Sequence, residues 1–247
     1  MQCITLNHEI YFSAVSLFSL LFIKSTRHKL QTLKADLCNC YEKNKVKKPP
    51  TLNKPLQGCL DKAFENSAQV IANKAVLKYG KEAEAKFEHF TIDIFSETMV
   101  DLVTSCDRYY TYMDSSRFYV ISKDKDSLRK MIQYRTYKMD RSLSANFYYY
   151  QAEVYFELGD YTHAFKDIDS SLITNPDDYK ATELKGEIME LQHNYNEALQ
   201  LYEKAYRIEH SAYMKFLKEY PDEYGDDEEL FLLVEIAVLK RKMKEGK

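Results

Sequence analysis

Two stretches of this chain repeat one arrangement of small and large residues at an offset of 34. Ala152 falls on Gly186, Tyr155 on Met189, Tyr161 on Tyr195 and Ala164 on Ala198. Further along, Ile168 falls on Tyr202, Ser171 on Ala205 and Leu172 on Tyr206. Small residues meet small ones and large apolar residues meet large ones. Repetition at a period of this length means one supersecondary unit used twice, and such a unit cannot cover its own apolar face without neighbours.

The repeat has a physical reading residue by residue. The small residue at 152 and at 186 lets two helices approach closely. Gly159 ends the first helix of its unit, where positive φ is needed. His193 stands at the corresponding place in the second copy, and the adjacent Asn194 is expected to supply that turn. Tyr161 and Tyr195 begin the second helices, and Ala164 and Ala198 mark where those helices cross the first ones. Pro176 breaks the chain after the first copy. The second copy has His210 there, so "SAYMKFLKEY" over 211–220 is expected to open a further helix before Pro221.

This pattern resembles the tetratricopeptide repeat over residues 145–210. The resemblance implies an all-α chain of TPR-like helical hairpins, an α-solenoid with flanking and capping helices. The rest of the chain agrees with an all-α fold. Six glycines and five prolines among 247 residues leave few tight turns. Only "SRFYVIS", residues 116–122, reads as extended.

Residues 59–144 read as a helical domain and as candidate degenerate repeats. Helices are expected over 60–79, ending at Gly80, and over 124–139. Between them Phe87, Phe90, Ile94, Leu102, Cys106, Tyr109 and Met113 recur at mostly three-to-four spacing, as on one helical face. Residues 211–247 are expected to cap the array. In "DDEELFLLVEIAVLKRKMK", residues 226–244, acids open the helix and bases close it, matching its dipole. Glu235 is the one polar residue between Leu230 and Leu239, which marks a buried helix or an interface, self-association included.

The first 58 residues differ in kind. Residues 10–23 are uncharged, and 1–24 read as an export signal, a membrane anchor or a helix packed on the body. Membrane association through 10–23 therefore stays open beside a cytoplasmic location. Residues 25–58 form a basic linker; its part 41–58 holds five lysines and three prolines. The charge runs from nine Lys/Arg against three Asp/Glu over 1–60 to 12 against 22 over 145–247. So acidic an end is a poor surface for nucleic-acid phosphates. Cys3, Cys38, Cys40, Cys59 and Cys106 are odd in number and scattered, which suggests no disulfide framework; Cys106 is expected as a buried thiol.

No catalytic constellation emerges. His8, His28, His89, His163, His193 and His210 sit in no metal or nucleophile motif, and no glycine-rich phosphate loop exists. Asp167 and Asp169 are an ordinary acidic helix surface. The expectation is a non-enzymatic protein with no cofactor and no metal.

The resemblance implies a groove lined by the first helix of each unit. Those positions are Asn146, Tyr149, Glu153, Phe156 and Glu157, then Lys180, Glu183, Glu187, Glu190 and Leu191. Family members that clamp a terminal carboxylate use basic residues and Asn. Five glutamates with Lys180 as the one cation depart from that pattern, and favour a protein partner with a basic segment. The alternative is a structural or self-association scaffold of an envelope or other assembly, with the groove filled by the chain's own segments, such as 226–244.

Overall fold

A computed structural model describes residues 32–43, 54–84, 86–117, 125–138, 145–220 and 228–246. Among them every regular element is helical. The helices are α1 (32–43), α2 (Lys54–Tyr79), α3 (Phe87–Ser105), α4 (Asp107–Ser116), α5 (Lys125–Lys138), α6 (Ala145–Leu158), α7 (Tyr161–Thr174), α8 (Tyr179–Leu191), α9 (Tyr195–Glu219) and α10 (Glu228–Glu245). The chain forms two compact units, one running through Leu102 and the other starting at Val103. The export or anchor reading of 10–23 and most of the extended reading of 116–122 fall outside the described residues.

The first unit is built on stripes of period four. Leu33, Leu37 and Tyr41 are buried on α1; Cys59, Ala63, Ser67, Ile71 and Ala75 are buried on α2. Residues four apart share one helical face, so each helix offers a narrow apolar seam. Phe64 meets Phe95 at 5.4 Å between ring centres, and Tyr79 meets Phe90 edge-on at 5.9 Å. Gly80 ends α2 with φ of 58°, as expected. The linker is shorter than its composition suggested. Tyr41 belongs to α1, and Lys54 opens α2 with Pro55 in its first turn, where the missing N–H costs nothing.

The cysteines correct the sequence reading. Cys40 and Cys59 form a disulfide, with Cα atoms 5.8 Å apart. Cys38 and Cys106 are disulfide-bonded as well, so Cys106 is not a free buried thiol. Cys106 also interrupts the single helix expected through this region. Its backbone is extended, with φ of −127° and ψ of 105°, and it separates α3 from α4.

In the second unit the 34-residue offset reappears as geometry. α6 and α8 start at 145 and 179, and α7 and α9 at 161 and 195. α6 packs on α7, α8 packs on α9, and α7 links the two pairs by packing on α8. Each pair turns the same way. At the end of α6, Gly159 N–H donates to Phe156 O and Asp160 N–H to Tyr155 O; at the end of α8, His193 N–H donates to Glu190 O and Asn194 N–H to Met189 O. These are matching Schellman caps. Gly159 has φ of 77°, and His193, not Asn194, takes the left-handed position with φ of 62°. Asp160 and Asp178 cap α7 and α8 through bonds to His163 N and Ala181 N.

The cores match too. Ala152, Ala164, Ile168, Ala198, Tyr202 and Ala205 are all fully buried. Where Ala152 and Ile168 share space in the first pair, Gly186 and Tyr202 share it in the second. A Cβ at 186 would lie 2.9 Å from Tyr202 Cε1, so the larger ring requires the smaller partner. The Ser171 hydroxyl lies 2.9 Å from Ala145 O and 2.9 Å from the Asp178 carboxylate, joining the starts of α6 and α8.

The two pairs differ at their C-terminal ends. Asn175, extended before Pro176, stops α7. No such residue stands near His210, and α9 runs on to Glu219, so 211–220 is not a separate helix. α10 then packs against α9 and α4. Its Leu232, Val234, Glu235, Ile236, Ala237, Val238 and Leu239 are buried, with Glu228 and Glu229 in the first turn and Lys242 and Lys244 in the last.

Candidate functional site

α8 carries Glu183, Glu187 and Glu190 at intervals of four and three, which sets them along one face. α10 brings Glu235 against that face. One oxygen from each of Glu183, Glu187 and Glu235 lies within 4.8 Å of the others. From the C-terminal end of α4 comes Arg117, whose guanidinium donates to Glu190. Lys242 of α10 donates to Glu190 at 2.9 Å and pairs with Asp114 at 2.7 Å. Tyr202 donates to the other Glu190 oxygen at 3.1 Å.

The electrostatics follow from this crowding. Five carboxylates, Glu153, Glu183, Glu187, Glu190 and Glu235, act on a space that Arg117 and Lys242 neutralise only in part. Burial is the main reason that Glu183 is pushed up to about 9, helped by Glu235 and Glu228. Burial and then Glu183 push Glu187 to about 8, and burial and then Glu187 push Glu235 to about 8. For Arg117 burial works against the charge, but the neighbouring carboxylates, Glu190 foremost, outweigh it and raise the pKa. At neutral pH these acids hold protons that an arriving cation would displace. One oxygen from each of Glu183, Glu187 and Glu235 is close enough to touch a single cation.

The ten groove positions separate into three groups. Glu183, Glu187 and Glu190 converge as described, but Glu190 is buried and already engaged. Lys180 is engaged as well, donating to Glu228 at 2.8 Å. On α6, Tyr149 donates to Glu153 at 2.8 Å, and burial followed by Glu153 raises its pKa. Tyr149 and Phe156 both pack on the core between α6 and α8, and Phe156 lies 5.9 Å from Tyr161. Asn146 is exposed, and Glu157 and Leu191 are half-buried.

Arg117, Lys242 and Tyr202 are members that the sequence did not point to. Arg117 lies 73 residues from Glu190, and no local pattern links them. Glu235 was signalled as a single acid in an apolar run: its carboxyl lies against Glu183 and Glu187 of α8, and Arg117 donates to its backbone oxygen at 3.4 Å. Asp167 and Asp169 do not act as a pair. Asp169 binds Lys185 at 2.8 Å, while burial lifts Asp167 to about 6. No family model matches the chain, and no curated protein or solved structure matches it either.

Proposed function

We propose that this chain is a non-enzymatic, tetratricopeptide-like scaffold for protein association, and that its acidic α8 face receives a basic segment of a partner. The matched caps and the Gly186–Tyr202 exchange support the repeat reading. The observation that carries the functional one is the surplus of carboxylate at Glu183 and Glu187. Both are half-buried, and no cation of the chain takes them in a direct ion pair among the described residues. A lysine or arginine side chain inserted there would meet two or three acids in a poorly hydrated setting, where charge-assisted bonds are strongest. Glu153 and Tyr149 on α6 would extend the contact along the partner.

A second reading has its own support. Glu190 is taken by Arg117 and Lys242, and Lys180 by Glu228, so the chain's own α4 and α10 occupy part of the expected groove. This favours a closed structural or self-association scaffold.

Calorimetric titration with an arginine- and lysine-rich peptide separates the two. The variant Glu183→Gln, Glu187→Gln imitates the protonated acids and keeps their volume, so it retains the fold. Binding by the parent that weakens ~10-fold or more in the variant supports the acidic face. Absence of binding by the parent leaves the closed scaffold.

A further inference from the structure

We infer that this chain is folded and kept in an oxidising compartment, outside the reducing cytosol, with its disulfides as permanent staples. All four cysteines among the described residues are disulfide-bonded, Cys40 to Cys59 among them. Cytosolic thiols are held reduced, and paired structural cysteines belong to secreted, periplasmic or lumenal proteins. The C-x-C pair Cys38 and Cys40 would otherwise suggest metal binding, but neither sulfur is a free thiol that could ligate a metal.

Burial argues for staples and against a switch. Cys59 is 2% exposed and Cys106 is 1% exposed, which shields those two sulfurs, while Cys38 and Cys40 are half-buried. The bond also has a mechanical role. Between α1 and α2 the sequence is polar, lysine-rich and proline-rich. The Cys40–Cys59 bond closes that segment directly and ties the end of α1 to the first turns of α2.

Each bond forms when two thiols lose two protons and two electrons to a protein disulfide donor of the compartment, whose own disulfide becomes a dithiol. The inference does not depend on what the acidic face binds.

The test is peptide mapping of the full chain from its native cells. Free thiols are trapped with an alkylating reagent in denaturant before any reduction. The expected result is a cross-linked pair of peptides containing Cys40 and Cys59, with almost no alkylation at either. Predominant alkylation of both would overturn the inference. As a second readout, reducing the purified protein should lower Tm by ~5–15 °C. An unchanged Tm after complete reduction would overturn the staple role.

Discussion

Arg117 and Glu190 are joined by a salt bridge across 73 residues, and their side chains are only 4% and 1% exposed. A pair this dry is far more costly to break than to replace, because a lone buried charge keeps its desolvation cost without its partner. Arg117→Ala should destabilise the second unit by less than the about 3 to 5 kcal/mol of a fully unpaired buried charge, because Glu190 keeps its bonds to Lys242 and Tyr202. Arg117→Met combined with Glu190→Met should lose clearly less than the two single changes together. Urea unfolding of Arg117→Met, Glu190→Met and the double variant, beside Arg117→Ala, measures this. Additive losses would mean that the two side chains act independently.

Gly186 and Tyr202 supply a second test. Alanine favours a helix over glycine by about 1 kcal/mol, so Gly186→Ala would stabilise an open site. Here the new methyl would meet the buried Tyr202 ring at 2.9 Å, and overpacking costs about 1 to 3 kcal/mol. The net effect should be destabilising. Adding Tyr202→Ile recreates the Ala152–Ile168 pairing of the first hairpin and should show favourable coupling in a double-mutant cycle. The cycle is read as coupling only, since Tyr202→Ile also removes the hydroxyl bond to Glu190.

The turn at His193 makes the converse case. An L-residue in the left-handed region costs about 1 to 2 kcal/mol relative to glycine. His193 sits there with φ of 62°, exposed, its ring nitrogen 2.8 Å from Tyr195 Oη. His193→Gly should raise stability by about 0.5 to 1 kcal/mol after the loss of that contact. Gly159→Ala, at φ of 77°, should lower it by about 1 kcal/mol. Thermal unfolding of both variants checks the opposite signs.

These turns also show what can be read from sequence. The all-helical class, the starts of the four helices α6 to α9 and the left-handed turn at Gly159 were legible, because they depend on residues a few positions apart. His193 was misjudged because Asn ordinarily accepts the left-handed region better than His. The Schellman register fixed the position instead. The end of α9 was misplaced because a period alone does not stop a helix: Pro176 does, and His210 does not. The disulfides were missed because an odd number of cysteines conceals which are adjacent in space. The α8 glutamates were found as a face, but the partners that divide them into engaged Glu190 and surplus Glu183 and Glu187 come from α4 and α10. No spacing rule reaches that far.

The surplus acids predict a pH dependence of stability with a definite sign. Glu183, at about 9, and Glu187 and Glu235, each at about 8, are all raised by burial from an ordinary value of 4.5. Between pH 4.5 and these values the folded chain binds more protons than the unfolded one. Stability contributed by the three groups is therefore fully present below about pH 4.5, and it is lost as pH rises toward 8 to 9. Glu228, whose pKa is lowered by Lys180 and Tyr179 against its own burial, acts in the opposite sense and only at pH below this window. Urea unfolding should show the second unit less stable at pH 9 than at pH 5.5. Glu183→Gln should flatten that slope, because the amide has no proton to lose. A basic peptide bound at the face should flatten it as well, since its positive charge favours the ionised carboxylates that high pH produces. A slope that is flat in the parent protein would mean that these carboxylates are solvated and ionised, and the poorly hydrated setting that strengthens a charge-assisted bond at this face would be absent.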